Sequence, residues 1–171
     1  TASNLVAVGY DSLGDNTTGT QNTALGFQAL SKNTTAGNNT AVGYQSLLSN
    51  TTGTTNTAMG VSALSSNTTA TSNTAVGFQA LSNTTTSSSN TAIGRQALLN
   101  NTAGNNTAVG HQSGISNTTG GITVVGHLSG YSNTTGITNT AIGQQSLYSN
   151  TTANDNTAVG FYALNETTGG S

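Results

Sequence analysis

The sequence contains no cysteine, proline or tryptophan, and only 4% of its 171 residues are charged. Without cysteine, the chain has neither disulfide bonds nor thiolate metal ligands. Its formal net charge of −2 gives no basic surface that would attract nucleic acid or anionic lipid. No apolar run approaches the roughly 20 residues that span a bilayer. We therefore expect no nucleic-acid partner and no membrane insertion.

What the sequence does contain is one short repeat. The glycine that ends the segment Asn39-Thr40-Ala41-Val42-Gly43 returns every 17 residues, except for two intervals of 16, at Gly9, Gly26, Gly43, Gly60, Gly77, Gly94, Gly110, Gly126, Gly143 and Gly160. A fixed short period is typical of proteins in which each repeat stacks on its neighbours. The composition does not shift along the chain, so we predict one repeat array over residues 1–171.

The three residues before each glycine predict a β-strand. The last of them is apolar in every copy and mostly β-branched, and the first is threonine in nine copies, as in Thr40-Ala41-Val42. Strand alternation places these two positions on one face and the alanine between them on the other. Because β-branched apolar residues favour buried strand positions, we expect the threonine and aliphatic positions to face the core. The small alanine would then face outward, where another surface could pack closely against it.

The rest of the repeat predicts a bend at the glycine, a second short strand ending at a buried leucine, and a polar Asn-Thr-Thr loop. Apolar positions two residues apart, with abundant Asn, Thr and Gly, argue against helix. Hairpins are possible, but identical residues once per repeat favour stacking of like on like. The predicted fold class is all-β: a parallel β-solenoid (β-roll) of about ten coils of 16–17 residues.

One position accepts very different side chains. The residue after the glycine is Tyr, Phe, Val, Arg, His or Gln in different copies, which is not typical of a sealed core. Each coil also buries only about two aliphatic side chains, against a backbone ordering cost of about 1–2 kcal/mol per residue. We therefore predict that chains associate, as a homo-oligomer or a fibril, through a ridge formed by Tyr10, Phe27, Tyr44, Phe78, Arg95, His111, His127 and Phe161.

The segment Asn39–Gly43 resembles the Ser-Val-Ala-Ile-Gly-type repeats in the head domains of trimeric autotransporter adhesins, and similar repeats in bacteriophage tail-fibre proteins. Ten copies carry this resemblance across nearly the whole chain. It implies a left-handed parallel β-roll, three chains side by side, and an adhesive fibre at a cell or virion surface that binds surface glycans or a receptor.

Asn-x-Thr sequons recur once per coil and predict N-glycosylation on the exposed loop. The alternative is that Asn-Thr-Thr is a favourable turn sequence. The candidate acceptors are Asn16, Asn33, Asn50, Asn67, Asn83, Asn100, Asn117, Asn133, Asn150 and Asn165, with additional sequons at Asn38 and Asn105.

These observations predict a non-enzymatic, extracellular structural or adhesive fibre without a cofactor. The two histidines at equivalent positions lack a third metal ligand, and no catalytic constellation is present. The chain opens inside a repeat without Met, which suggests a processed chain or a fragment. Neither end resembles a capping element, so end-to-end stacking is an alternative to a trimer.

Two alternative functions are a phage tail-fibre segment that binds a host surface and an ice-binding solenoid. For ice binding, we expect the strand threonines to be buried and only the loop threonines to be available.

Overall fold

The computed structural model describes residues 2–168. It confirms an all-β parallel solenoid with one strand in each coil. All ten strands are three residues long: β1 (Val6–Val8), β2 (Thr23–Leu25), β3 (Thr40–Val42), β4 (Thr57–Met59), β5 (Thr74–Val76), β6 (Thr91–Ile93), β7 (Thr107–Val109), β8 (Thr123–Val125), β9 (Thr140–Ile142) and β10 (Thr157–Val159). They form one parallel sheet in chain order. No helix in this part of the chain is long and apolar enough to cross a membrane.

Equivalent residues stack on one another along the solenoid. Thr40 pairs with Thr57 and Ala41 with Ala58, and the same register continues from β1 to β10. The second short strand predicted after the glycine is not formed. Two residues there take left-handed backbone conformations instead, such as Gln45 with φ 54° and Leu47 with φ 49°. Hydrogen bonds between coils hold this turn in place, which allows a bulky residue to keep a conformation that it rarely adopts alone.

The strands face the opposite way from the prediction. Alanine points inward, and Ala41, Ala58 and Ala75 are completely buried. Threonine and the aliphatic residue point outward, so that Met59 is 44% exposed. The prediction was wrong because it ranked the strand positions by hydrophobicity alone. Where leucine fills a coil this small, the interior beside the strand has room for only a methyl group.

Leucine fills the remaining interior, as predicted. Leu30, Leu47, Leu64, Leu81 and Leu98 are all fully buried and reach from the turn toward the strand alanines. A buried leucine contributes about 1.5–3 kcal/mol of hydrophobic stabilisation. The core of most coils is therefore one leucine packed against alanines.

Two coils replace the leucine by Gly114 and Gly130, and the structure shows what compensates. The strand alanine becomes Val124 there, and an asparagine becomes Ile122; both are buried. A methyl group added at Gly130 would lie 2.7 Å from Cγ1 of Val124. Two non-bonded carbon atoms cannot approach each other so closely. The larger strand residues thus occupy the space that the leucine fills elsewhere.

Asparagine forms two buried columns that the sequence analysis interpreted as turn chemistry. The strand-side ladder lies one residue before eight of the ten strands and consists of Asn22, Asn39, Asn56, Asn73, Asn90, Asn106, Asn139 and Asn156. The loop-side ladder, at the start of the polar loop, consists of Asn16, Asn33, Asn50, Asn67, Asn101, Asn117, Asn133 and Asn150.

Each ladder satisfies backbone groups that the narrow core would otherwise leave without partners. In the strand-side ladder, Oδ1 of Asn39 accepts the backbone N–H of Asn56 at 2.9 Å, and Nδ2 of Asn39 donates to the Gly53 carbonyl at 2.8 Å. In the loop-side ladder, Nδ2 of Asn50 donates to Oδ1 of Asn33 at 3.1 Å and to Gly53 at 2.9 Å. Stacked amides of this kind add to the stability of parallel β-structures.

Candidate functional site

The outward side of the strands forms the first candidate surface, here called the strand face. In β2 to β10 it carries one threonine and one apolar residue per coil, about 6.6 Å apart along each strand. Its threonines are Thr23, Thr40, Thr57, Thr74, Thr91, Thr107, Thr123, Thr140 and Thr157. All nine are partly or fully exposed. None of the six charged residues lies in a strand. The strand face is therefore an uncharged array of hydroxyl and alkyl groups.

The threonines of the strand face differ from those of the loops in their hydrogen bonding. In the loops, one threonine hydroxyl per coil donates to the next coil, as Thr34 does to the Thr51 carbonyl at 3.2 Å and Thr51 to the Thr68 carbonyl at 3.0 Å. Within residues 2–168, the strand-face hydroxyls form no hydrogen bond with a protein group. None of them is buried without a hydrogen-bond partner. Their hydrogen-bonding capacity is directed to solvent.

The second candidate surface is the ridge of residues that follow the glycines. Tyr10, Phe27 and Tyr44 stack with ring centroids 5.2 and 5.3 Å apart. All three are exposed, as are Phe78 and Phe161. The structure thus brings the predicted ridge residues into one continuous column. The ring faces meet each other and the edges face solvent, so the column offers an apolar stripe and not a set of separate stacking platforms.

The cationic part of the ridge lies in the middle coils. Arg95 lies over the ring of Phe78 at 5.7 Å, and its guanidinium donates to Nε2 of His111 at 2.9 Å. His111 in turn stacks on His127 at 5.2 Å. Desolvation, then the positive charges of Arg95 and His127, lower the pKa of His111 below its ordinary value. A neutral His111 at pH 7 fits its role as acceptor from Arg95.

A further aromatic pair lies outside the ridge and was not identified from the sequence. Tyr131 and Tyr148 stack at 5.1 Å, one position after the leucine column. The repeat period could have revealed this pair, because both residues lie at the same distance from their glycines. Elsewhere that position is mainly Ser or Leu, so the aromatic side chains form only a local pair.

Most candidate glycosylation sites are buried. Asn33, Asn50, Asn67, Asn117, Asn133 and Asn150 belong to the loop-side ladder, where they are at most 2% exposed and each Nδ2 is engaged in hydrogen bonds. Attachment of a sugar to such a nitrogen is incompatible with this geometry, because it would remove ladder bonds and require space that the core lacks. Asn16 and Asn165 are half-buried, and the additional sequons at Asn38 and Asn105 are exposed.

Asn83 and Asn100 are exposed because the ladder position shifts by one residue there. Thr84 and Asn101 occupy the buried positions, and Nδ2 of Asn83 donates to Oδ1 of Asn100 at 2.8 Å. Thr84 has no amide to donate, which leaves Oδ1 of Asn67 as a buried acceptor without a partner. A search for sequons cannot detect this shift, because both segments still contain Asn-x-Thr.

Other chemistry is sparse in residues 2–168. No pocket indents the surface, and no group of three His, Asp or Glu side chains could hold a metal ion. The one salt bridge of these residues, Lys32 to Asp15 at 3.1 Å, is exposed and so contributes little to stability. The strand face and the ridge are therefore the candidate functional surfaces.

The chain matches no protein-family model, no curated protein and no solved structure. The resemblance to adhesin heads and tail fibres therefore gains no support from these comparisons. The strand face and the ridge are the features from which a function can be proposed.

Proposed function

We propose that this chain is a non-enzymatic structural shaft that associates side by side through the ridge. The observation that carries this proposal is the column of exposed aromatic and apolar residues over the first five coils, which includes Phe27, Tyr44 and Phe78, each more than 40% exposed. Contiguous exposed apolar patches of more than a few hundred Å² usually mark interaction sites. A narrow solenoid gains from such contacts, because they bury apolar surface that its own thin core cannot.

The ridge suits a partner of the same kind. Its single charged residue, Arg95, presents little barrier to a second copy. The aromatic side chains of the first five coils, from Tyr10 to Phe78, can interdigitate with those of another chain. Three chains side by side would bring three ridges to a common axis. The strand faces would remain outside, where many weak contacts could act together as an adhesive surface.

We further propose an extracellular or surface location, with glycans restricted to accessible sequons. The exposed acceptors are Asn38, Asn83, Asn100 and Asn105, and Asn83 and Asn100 lie on adjacent coils. Sugars at these positions would lie on the polar loop and would leave the ridge free. Glycosylation and lateral association are therefore compatible within one fibre.

The intact mass of native material, under native and denaturing conditions, tests both parts of this proposal. We expect a native mass that is a multiple of the denatured chain mass. A denatured mass above 16.9 kDa would establish covalent decoration, which replacement of Asn38, Asn83, Asn100 and Asn105 by Gln should remove. A native monomer at high protein concentration would contradict the shaft, and a bare chain mass would contradict the glycans.

Substitution of two ridge residues identifies the interface. The double variant Phe27→Gln, Phe78→Gln replaces two rings by glutamine, which occurs naturally at this position of the repeat as Gln144. Aromatic hot spots of an interface each contribute about 2 kcal/mol or more, so loss of both rings should raise the dissociation constant roughly 700-fold. Tyr148→Gln, which removes a ring outside the ridge, is the control. An equal effect of the control would contradict the ridge as the interface.

A further inference from the structure

The strand face has a property that lateral association through the ridge does not require. Nine successive coils carry threonine at the same outward position, although the hydroxyls bond to no protein group. The ridge position, equally outward, varies freely between coils. Threonine pairs between neighbouring strands contribute to sheet stability, but valine would do so too, and Val6 occupies this position in β1.

The array is also regular in two dimensions. The coils pair strand to strand in unbroken register from β1 to β10, which spaces the threonines about 4.8 Å apart along the solenoid. The aliphatic residue repeats beside each threonine at about 6.6 Å. Each row thus offers a hydroxyl that can donate and accept hydrogen bonds, and alkyl groups that constrain the water next to them.

From this arrangement we propose that the strand face binds crystalline water. A single threonine holds water weakly, but a periodic array of unpaired hydroxyls and methyl groups can match a periodic ligand over many rows at once. The lack of charge supports this ligand, because ionic side chains would order water around themselves. The strand pattern predicted buried threonines. Their outward orientation in the structure is what makes this function possible.

Thermal hysteresis of the native protein, together with the shape of ice crystals grown in it, tests this inference. Wild-type protein should lower the freezing point below the melting point and produce faceted crystals. Thr74→Lys, in the middle of the strand face, should remove most of the hysteresis, because a long charged side chain breaks the array and holds a hydrated ammonium above it.

Thr52→Lys is the matched control. Thr52 is exposed in a polar loop, so the substitution makes the same chemical change away from the strand face and should leave the hysteresis unchanged. Circular dichroism of both variants confirms that the solenoid remains folded. Folded wild-type protein without hysteresis or crystal shaping would overturn the inference, and so would equal losses in the two variants. Neither result depends on the oligomeric mass. A failure of the ice-binding inference can therefore be distinguished from a failure of the ridge interface.

Discussion

Replacement of Gly60 by alanine is expected to destabilise the solenoid by about 2–6 kcal/mol. Gly60 has φ +137°, and a Cβ atom there would lie 2.5 Å from the carbonyl oxygen of Gly77 in the next coil. The backbone strain costs about 1–3 kcal/mol, and the forced separation of the coils adds a comparable amount. The measurement is thermal unfolding followed by circular dichroism.

Gly160→Ala separates these two causes. Gly160 has a similar φ of +127°, but a Cβ atom added there would have the Cβ of Ala163, at 4.0 Å, as its nearest neighbour. We expect this variant to lose only the strain contribution of about 1–3 kcal/mol. Equal losses in the two variants would show that backbone strain alone explains the glycine column. An unaffected Gly60→Ala variant would contradict the close stacking of glycine on glycine.

Replacement of Asn56 by aspartate is expected to cost several kcal/mol at pH 7, because it places a carboxylate in the buried strand-side ladder. Asn56 is fully buried. Its Oδ1 accepts the N–H of Asn73 at 3.0 Å, and its Nδ2 donates to the Ala70 carbonyl at 2.8 Å. Aspartate keeps the first bond, but it turns the second into a contact between two oxygen atoms. Denaturant unfolding measures the loss.

The loss should depend on pH in a definite direction. Burial disfavours the charged form, so the pKa of the introduced carboxyl is raised in the folded chain. The folded state then binds more protons than the unfolded state, and stability falls as the pH rises above about 4. Asn38→Asp, at an exposed position next to the ladder, should change stability by less than about 0.5 kcal/mol. A pH-independent loss at Asn56 would contradict the buried ladder.

The sequence was sufficient to predict the architecture because the evidence for it is periodic. The glycine spacing defined the coil, the leucine column defined part of the core, and the residues after the glycines defined the ridge. Each conclusion required only that like residues stack on like. The strand boundaries at Thr40–Val42 followed from the same alternation.

The sequence did not determine which strand face is inside. Alternation separates Ala41 from Thr40 and Val42, but it does not specify a direction, and hydrophobicity favoured the wrong one. The deciding factor is the width of the coil, which depends on how the glycine and the left-handed Leu47 turn the chain. The asparagines were misinterpreted for a similar reason, since a turn residue and a buried ladder residue have the same sequence pattern.

The orientation of the strands is the claim on which the strand face and its proposed ligand depend, and cysteine accessibility tests it most directly. The natural chain has no cysteine, so Thr74→Cys and Ala75→Cys each introduce a single thiol on adjacent residues of β5. The rate of modification by a water-soluble maleimide is measured on folded protein. We expect the thiol of Thr74→Cys to react rapidly and that of Ala75→Cys to react only after denaturation. A protected Thr74→Cys beside a reactive Ala75→Cys would contradict this account.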